Sequence, residues 1–466
     1  MLALLILITI IADIRFKLLT KKYISLILLL ILPHVVLIYN IASTYLDKAT
    51  APAIIFFAFL TLYFFICMIS YVTPSKVELS PRLKIMMGGR RIFLSSMTGC
   101  ILQIPICIGI IISHHTYQIK TSIAVIDVIV TYTFLFVLLL NGAVRIFISS
   151  RRLGIIRRIL ILLFFWIPGI NIVLGIWFCR IVKQEYLHEY ISAELNNARA
   201  SSGICKTKYP LLMLHGIGFR DYKYLNYWGR IPALLIRNGA AIYYGHQQAW
   251  GTIESNASEI KHKLLDILKN TGCEKVNIIA HSKGGLDARY LISSLGISNH
   301  VATLTTIATP HRGSELVDVL SRMKEKRYRK ICNTINKYFK KTGDTNPDAY
   351  ASSKQLMPAY CEEFNKKNPD APGVYYQSYA SQMKTATSHS LLMIPYAIMK
   401  WVSGDNDGLV TTESAKWGEF KGVFKSSTNR GISHGDLIDL THQDNEGFNI
   451  AEEYVSIVSE LKNKGY

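Results

Sequence analysis

Ser282 closes the run Val276-Asn277-Ile278-Ile279-Ala280-His281-Ser282, and Lys283-Gly284-Gly285 follow it. A β-branched apolar segment that gives way to a serine and two glycines has the composition of a strand delivering a hydroxyl onto a tight strand-to-helix turn. Crowding at such a turn demands small neighbours. The first amides of the next helix then face the group under attack and stabilise negative charge on it. A serine hydroxyl is a poor nucleophile at neutral pH, so an imidazole must take its proton and a carboxylate must orient that imidazole. Downstream, Asp407 lies in the acidic turn Gly404-Asp405-Asn406-Asp407-Gly408-Leu409-Val410, and His434 lies in Ile432-Ser433-His434-Gly435-Asp436. Upstream, Leu212-Met213-Leu214-His215-Gly216-Ile217-Gly218 reads as a strand end whose loop amide can complete an oxyanion hole. Ser, Asp, His is one of the chain orders in which such triads occur.

The elements holding these residues are predicted from alternating short apolar runs and amphipathic segments. Tyr209–Leu214, Ala240–Tyr244, Lys275–Ala280 and Val301–Ile307 read as strands, and Trp228–Asn238, Ile253–Asn270 and Gly285–Leu295 as helices. Strand and helix alternating in this way predicts a mostly parallel sheet covered by helices on both faces. Nucleophiles in such sheets sit at the carboxyl ends of strands, where Ser282 falls. This domain is expected over 205–466, behind a helical linker at 181–204.

On these motifs the chain from about Tyr209 onward resembles the bacterial triacylglycerol lipases of the α/β-hydrolase fold, Pseudomonas and Burkholderia type. The resemblance rests on Tyr209-Pro210, His215-Gly216, Tyr227-Trp228, Gly284-Gly285-Leu286, Arg289-Tyr290 and, most specifically, Thr305-Thr306-Ile307-Ala308-Thr309-Pro310-His311-Arg312-Gly313-Ser314-Glu315. It implies Ser282 as nucleophile, His434 as general base and acid, and Asp407 as the orienting carboxylate. Ile217 and Lys283 would lend backbone amides to the oxyanion, leaving their side chains free to vary. Asp405 and His442 are the rivals of Asp407 and His434; His215, His281 and His311 read as structural hydrogen-bonding residues. Ala280 stands where many relatives carry glycine, a change that a tight elbow tolerates. The resemblance also raises a structural calcium, with Asp436 as a possible ligand. A second acidic ligand upstream of Asp407 is missing, and calcium needs six to eight oxygens. The alternative for Asp436 is to cap the helix that follows. No cofactor is required.

Residues 1–180 are of another kind. The chain of 466 residues is 50% hydrophobic yet carries a net charge of +20. Through Arg180 there are 17 Lys and Arg against 4 Asp and Glu, and beyond it 35 against 28. The basic excess sits between apolar runs, which points to a bilayer and its anionic face and not to nucleic acid. Tyr23–Ile41, Ala51–Val72, Ile92–Ser113, Ile123–Phe147 and Ile159–Cys179 each approach or exceed the roughly 20 residues that cross a bilayer core. Met1–Ala12 is short for a span. Five or six membrane helices are therefore expected. The loops holding Arg15–Lys22, Lys76–Arg91 and Arg145–Arg158 are the basic ones, so the positive-inside rule puts them in the cytoplasm. Counting Ile159–Cys179 as a full crossing places the hydrolase domain outside a plasma membrane. A re-entrant bend at Pro168-Gly169 would instead return the chain inside. Asp127, near the start of its run, is expected to snorkel to the interface.

Leu316–Lys341 falls where relatives insert a lid, within an insertion at about 316–360. Val317, Leu320, Tyr328, Ile331, Ile335 and Tyr338 recur there at helical spacing among eight lysines and arginines from Lys324 to Lys341. That pattern suits an anionic bilayer surface or a helix packed on the domain. The eight cysteines show no disulfide framework or metal-type spacing. The expected activity is that of a membrane-anchored serine ester hydrolase acting on lipid or other acyl esters. An acyltransferase using the same triad and a membrane scaffold with an inactive hydrolase domain are the alternatives.

Overall fold

A computed structural model describes residues 2–45, 51–116, 118–167, 169–220, 227–440 and 447–466. The chain divides into two compact units, Met1–Glu194 and Leu195–Tyr466.

The first unit is helical: α1 (Leu2–Phe16), α2 (Lys22–Ile31), α3 (Val35–Tyr45), α4 (Ala51–Ser70), α5 (Pro81–Ser113), α6 (Thr121–Ser149), α7 (Gly154–Phe164) and α8 (Ile170–Arg199). Among the described residues, four segments are long and apolar enough to cross a membrane: Lys22–Thr44, Ala51–Ser70, Pro81–Ser113 and Thr121–Ser149. The expected span over Ile159–Cys179 is not one helix. The chain breaks between α7 and α8, and α8 continues through the segment read as a linker. Gly169 takes φ +81° at the break; Pro168 lies outside the described residues.

Asp127 does not snorkel. It is fully buried, because two groups, the His34 ring and the Leu37 amide, hold it within the bundle. Pro33 has no N–H and leaves the carbonyl of Leu29 without its helical donor. The Gln103 amide fills that gap, donating to Leu29 O (3.2 Å) and Leu30 O (3.1 Å). Gln103 Oε1 lies 2.9 Å from His34 Nε2, His34 Nδ1 lies 2.6 Å from Asp127 Oδ2, and Asp127 Oδ1 accepts from the Leu37 N–H at 2.9 Å. A proline break in an apolar helix is thus repaired by a connected polar network, as hydrocarbon surroundings require.

The second unit carries a six-stranded parallel sheet. Its strands are β1 (Leu211–Leu214), β2 (Ile242–Tyr244), β3 (Val276–His281), β4 (Val301–Ile307), β5 (Tyr375–Ala380) and β6 (Glu419–Val423), ordered β2-β1-β3-β4-β5-β6. Leu212 pairs with Ile278 and Ile278 with Leu304 in register. Side chains alternate between faces, so Leu211, Met213 and Ile279 pack with α9 (Ile231–Arg237) and α17 (Ile450–Asn463), whereas Leu212, Leu214 and Ile278 pack with α10 (Ile253–Thr271) and α11 (Gly284–Ser293). β1, β3 and β4 are buried throughout. That explains why apolar and β-branched residues dominate them. Local signals set the helix ends: the Thr252 hydroxyl accepts from Ser255 N at 3.2 Å to start α10, and Gly272 at φ +70° ends it.

Between β4 and β5 lie α12 (Glu315–Ser321), α13 (Glu325–Lys341), α14 (Ala349–Lys354) and α15 (Pro358–Lys367); α16 (Met393–Ser403) lies between β5 and β6. The lid-like stretch is two helices broken at Arg322–Lys324. The inner face of α13, with Tyr328, Cys332 and Ile335, packs on Ala349, Tyr350 and Trp250, while Ile331 and Tyr338 are exposed.

Candidate active site

β3 ends at His281 and places Ser282 at φ +56°, a left-handed conformation that non-glycine residues adopt only where the surroundings over-determine it. Two bonds fix it: the Ser282 N–H donates to Ile307 O at 3.0 Å, and the Gly285 N–H donates to Ser282 O at 3.1 Å. The neighbours must be small. A Cβ on Gly216 would lie 2.8 Å from both Ser282 Cβ and the Tyr227 hydroxyl, and one on Gly284 would lie 2.6 Å from His215 O. A Cβ at Gly216 would also lie 3.3 Å from Ser282 Oγ. Lys283 caps α11, whose first amides have no intrahelical carbonyl to bond.

The turn after α16 brings in the carboxylate. Asp407 Oδ1 accepts from Leu409 N (3.0 Å) and Val410 N (2.9 Å), and Oδ2 accepts from the Ser381 hydroxyl (3.3 Å) and lies 2.8 Å from His434 Nδ1. A main-chain bond from His434 N to Asp407 O (2.9 Å) ties the two loops together. Both residues are buried. Asp405, the rival acid, pairs with Lys400 in an exposed position; His442, the rival base, lies outside the described residues.

The other histidines are engaged. His215 spans Gly216 O (2.8 Å) and Gln247 O (2.9 Å). His311 lies 3.1 Å from Thr306 Oγ1 and stacks on Trp417. The His281 ring stands 4.4 Å from that of His434, its Nδ1 2.6 Å from the Tyr227 hydroxyl. Burial, then the charge of His434, push its pKa well below the ordinary value. Burial, then Arg289 and Arg312, do the same to His311. Both rings are therefore neutral.

One sequence expectation needs correction. The Lys283 side chain is not free to vary: it is buried and pairs with Asp287 at 2.6 Å, and Asp287 also accepts from Asn256 at 3.0 Å. The i,i+4 spacing was visible in the sequence, but the burial was not. Tyr227 and Ser381, which buttress His281 and Asp407, carried no signal of that role.

Asp436 begins the turn after His434 and is already satisfied by protein donors. Its Oδ2 accepts from Ser433 N (2.8 Å) and Ser433 Oγ (2.7 Å), and its Oδ1 from Arg430 Nη2 (3.1 Å); Arg430 Nε also donates to Ser388 O at 2.6 Å. Among the described residues no three His, Cys, Asp or Glu side chains assemble into a metal site. A guanidinium on the carboxylate is the wrong setting for a hard dication, so the residues present do not fit calcium. Arg430 itself bridges Asp436 to the 388 carbonyl.

Comparison with known proteins bears on the same half of the chain. The family profile for palmitoyl protein thioesterase matches residues 210–438. Triacylglycerol lipase 2 of Saccharomyces cerevisiae is 30% identical over 279 residues, covering 53% of this chain and 78% of that protein. A triacylglycerol lipase of Burkholderia plantarii is 28% identical over 212 residues, covering 42% of this chain and 58% of its own. Among solved structures, a mature Bacillus licheniformis lipase aligns at a TM-score of 0.40 and 20% identity, over 50% of this chain and 88% of that one. The chain belongs to the triacylglycerol lipase family and is an ester hydrolase with an α/β-hydrolase fold.

Proposed function

We propose that this protein is a membrane-anchored serine hydrolase that cleaves carboxylic esters of lipids through an acyl-enzyme on Ser282. The observation that carries the reading is the buried His434–Asp407 pair, 2.8 Å apart, in one site with a serine at φ +56° on an elbow. Ser282 Oγ attacks the ester carbonyl carbon while His434 Nε2 takes its proton. The Ile217 and Lys283 N–H groups stabilise the resulting oxyanion, each contributing on the order of 3 kcal/mol. Collapse expels the alcohol, which leaves with the proton from His434. Water, deprotonated by the same imidazole, then attacks the acyl carbon and frees Ser282. Asp407 holds the ring by Nδ1 and stabilises the imidazolium.

The reaction needs no metal, so chelation leaves turnover unchanged. The four apolar helices support integral anchoring. The plasma membrane is the proposed site, since basic loops of this kind face an anionic cytoplasmic leaflet. Labelling with a fluorophosphonate probe tests the nucleophile: the full-length protein labels and Ser282→Ala does not. Equal labelling of both would remove Ser282 from the reading.

A further inference from the structure

The break between α7 and α8 is a reversal of the chain. The Arg157 guanidinium lies 5.9 Å from the centre of the Trp177 ring, whereas a continuous helix would hold residues 157 and 177 about 30 Å apart. Further from the turn, the Glu185 carboxylate on α8 accepts from the Ser150 hydroxyl (2.7 Å), Arg151 N (3.1 Å) and Arg152 N (3.3 Å), all in the segment before α7. The two arms run side by side. From this we infer that α7 and the first half of α8 form a re-entrant hairpin dipping into a single leaflet, so that the chain leaves the membrane on the side of its basic loops. The hydrolase domain then works at the cytoplasmic face and draws its esters from that leaflet.

Length and surface chemistry identify the occupant around the hairpin. The 11 residues of α7 reach about 17 Å, roughly half of a hydrocarbon core about 30 Å thick. Around the turn, Leu162, Leu163, Phe164, Ile167 and Ile170 are exposed, and Trp166 is 80% exposed. The indole N–H is satisfied by Leu162 O at 3.1 Å, and Ile167 N donates to Phe164 O at 3.2 Å. The tip therefore presents carbon to its surroundings with these polar groups bonded internally. Acyl chains solvate such a surface; water does not.

The base of the hairpin fixes the side. Arg82, at the start of α5, donates to Glu185 at 2.6 Å and to the Ser149 carbonyl at the end of α6 at 2.6 Å, and lies 3.6 Å from Glu189. Arg90 donates to Cys179 O at 2.9 Å. Arg145, on the last turns of α6, donates to Tyr71 O at 2.7 Å, just beyond α4. The exits of α4 and α6, the entrance of α5 and the middle of α8 (Cys179–Glu189) thus share one end of the unit, which carries the Lys76–Arg91 and Arg145–Arg158 clusters. Positive loops stay in the cytoplasm. This replaces the outside placement expected from an unbroken Ile159–Cys179 span.

The placement rests on the membrane reading and is independent of the catalytic one. In a bacterial host, a periplasm-active phosphatase fused after Tyr466 of the full chain is expected to be inactive, and a cytoplasm-active fluorescent protein at the same place to be bright. A phosphatase fusion after Ser113 is active as the control. An active phosphatase after Tyr466 overturns the placement. Trp166→Cys carrying a nitroxide in liposomes is expected to respond to oxygen and not to a water-soluble relaxation agent on either side; relaxation by that agent overturns the hairpin. A chain stripped from membranes by alkaline carbonate overturns both placement and anchoring, while Ser282-dependent probe labelling would still stand.

Discussion

Two buried histidine–aspartate pairs, one in each unit, have nearly the same geometry and different surroundings. His34–Asp127 are 2.6 Å apart in the helical unit and His434–Asp407 are 2.8 Å apart in the hydrolase unit. In the first, Gln103 takes the second ring nitrogen, and the Leu37 amide takes the second carboxylate oxygen. Every strong valence is used inside the bundle, so the pair serves as a lock between helices. In the second, Asp407 is equally well bonded, but among the described residues no hydrogen bond takes His434 Nε2. That nitrogen is the one a triad needs for the serine proton. On the proposed reading, reactivity lies in that unspent valence together with Ser282, and not in the pair itself.

Substitutions that remove one partner separate the two pairs. Asp407→Asn keeps the shape of its loop but holds the imidazole in the wrong tautomer, so kcat should fall by about 10⁴-fold. Asp405→Asn should leave kcat at its wild-type level. Ester turnover by the purified full-length protein reads both, and equal losses would make the acidic turn structural. His34→Leu leaves Asp127 buried without its cation-capable partner and should destabilise the helical unit by about 3–5 kcal/mol. A thermal melt of the unit's helical signal in detergent measures that loss, with kcat per probe-labelled molecule unchanged. A fall in kcat like that of Asp407→Asn would erase the distinction between the pairs.

The neutral histidines sharpen the contrast further. The folded pKa values of His281 and His311 lie below 6.5, so the unfolded chain binds protons first as pH falls. The stability they permit is full above about 6.5 and is lost below it, at about 1.4 kcal/mol per pH unit for each ring until its folded pKa is reached. Denaturation of the hydrolase unit between pH 7 and 5 should show that slope, and His311→Asn should flatten it by about half. An unchanged slope would mean that His311 is charged in the fold.

How far the sequence carried these conclusions depended on where the information lies along the chain. The elbow at Ser282 was legible because steric crowding forces small residues next to it. β1, β3 and β4 were legible because burial on both faces leaves runs dominated by apolar or β-branched residues, and β2, a half-buried edge strand, was legible by its short apolar and aromatic run. β5 was missed: Tyr-Tyr-Gln-Ser-Tyr-Ala mixes aromatic and polar residues. β6 was missed because it is a short edge strand with charged residues. The partners of Asp127 come from Leu37 and His34, some 90 residues away, and no local pattern announces them. Lys283 showed its spacing to Asp287 but not its burial. The reversal between α7 and α8 had a local mark in the sequence Pro168-Gly169, whereas its consequence for topology needed the contacts of Arg157 and Glu185.

The central claim is that Ser282, prepared by His434 and Asp407, forms and releases the acyl group. The most direct measurement is rapid-quench mass spectrometry of the full-length protein with a slowly deacylating ester. The account predicts an acyl mass on the peptide containing Ser282, which then decays with release of the acid. It also predicts no adduct and a loss of turnover on the order of a thousandfold or more in Ser282→Ala. Steady turnover by Ser282→Ala, or an acyl group carried on another residue, would contradict it.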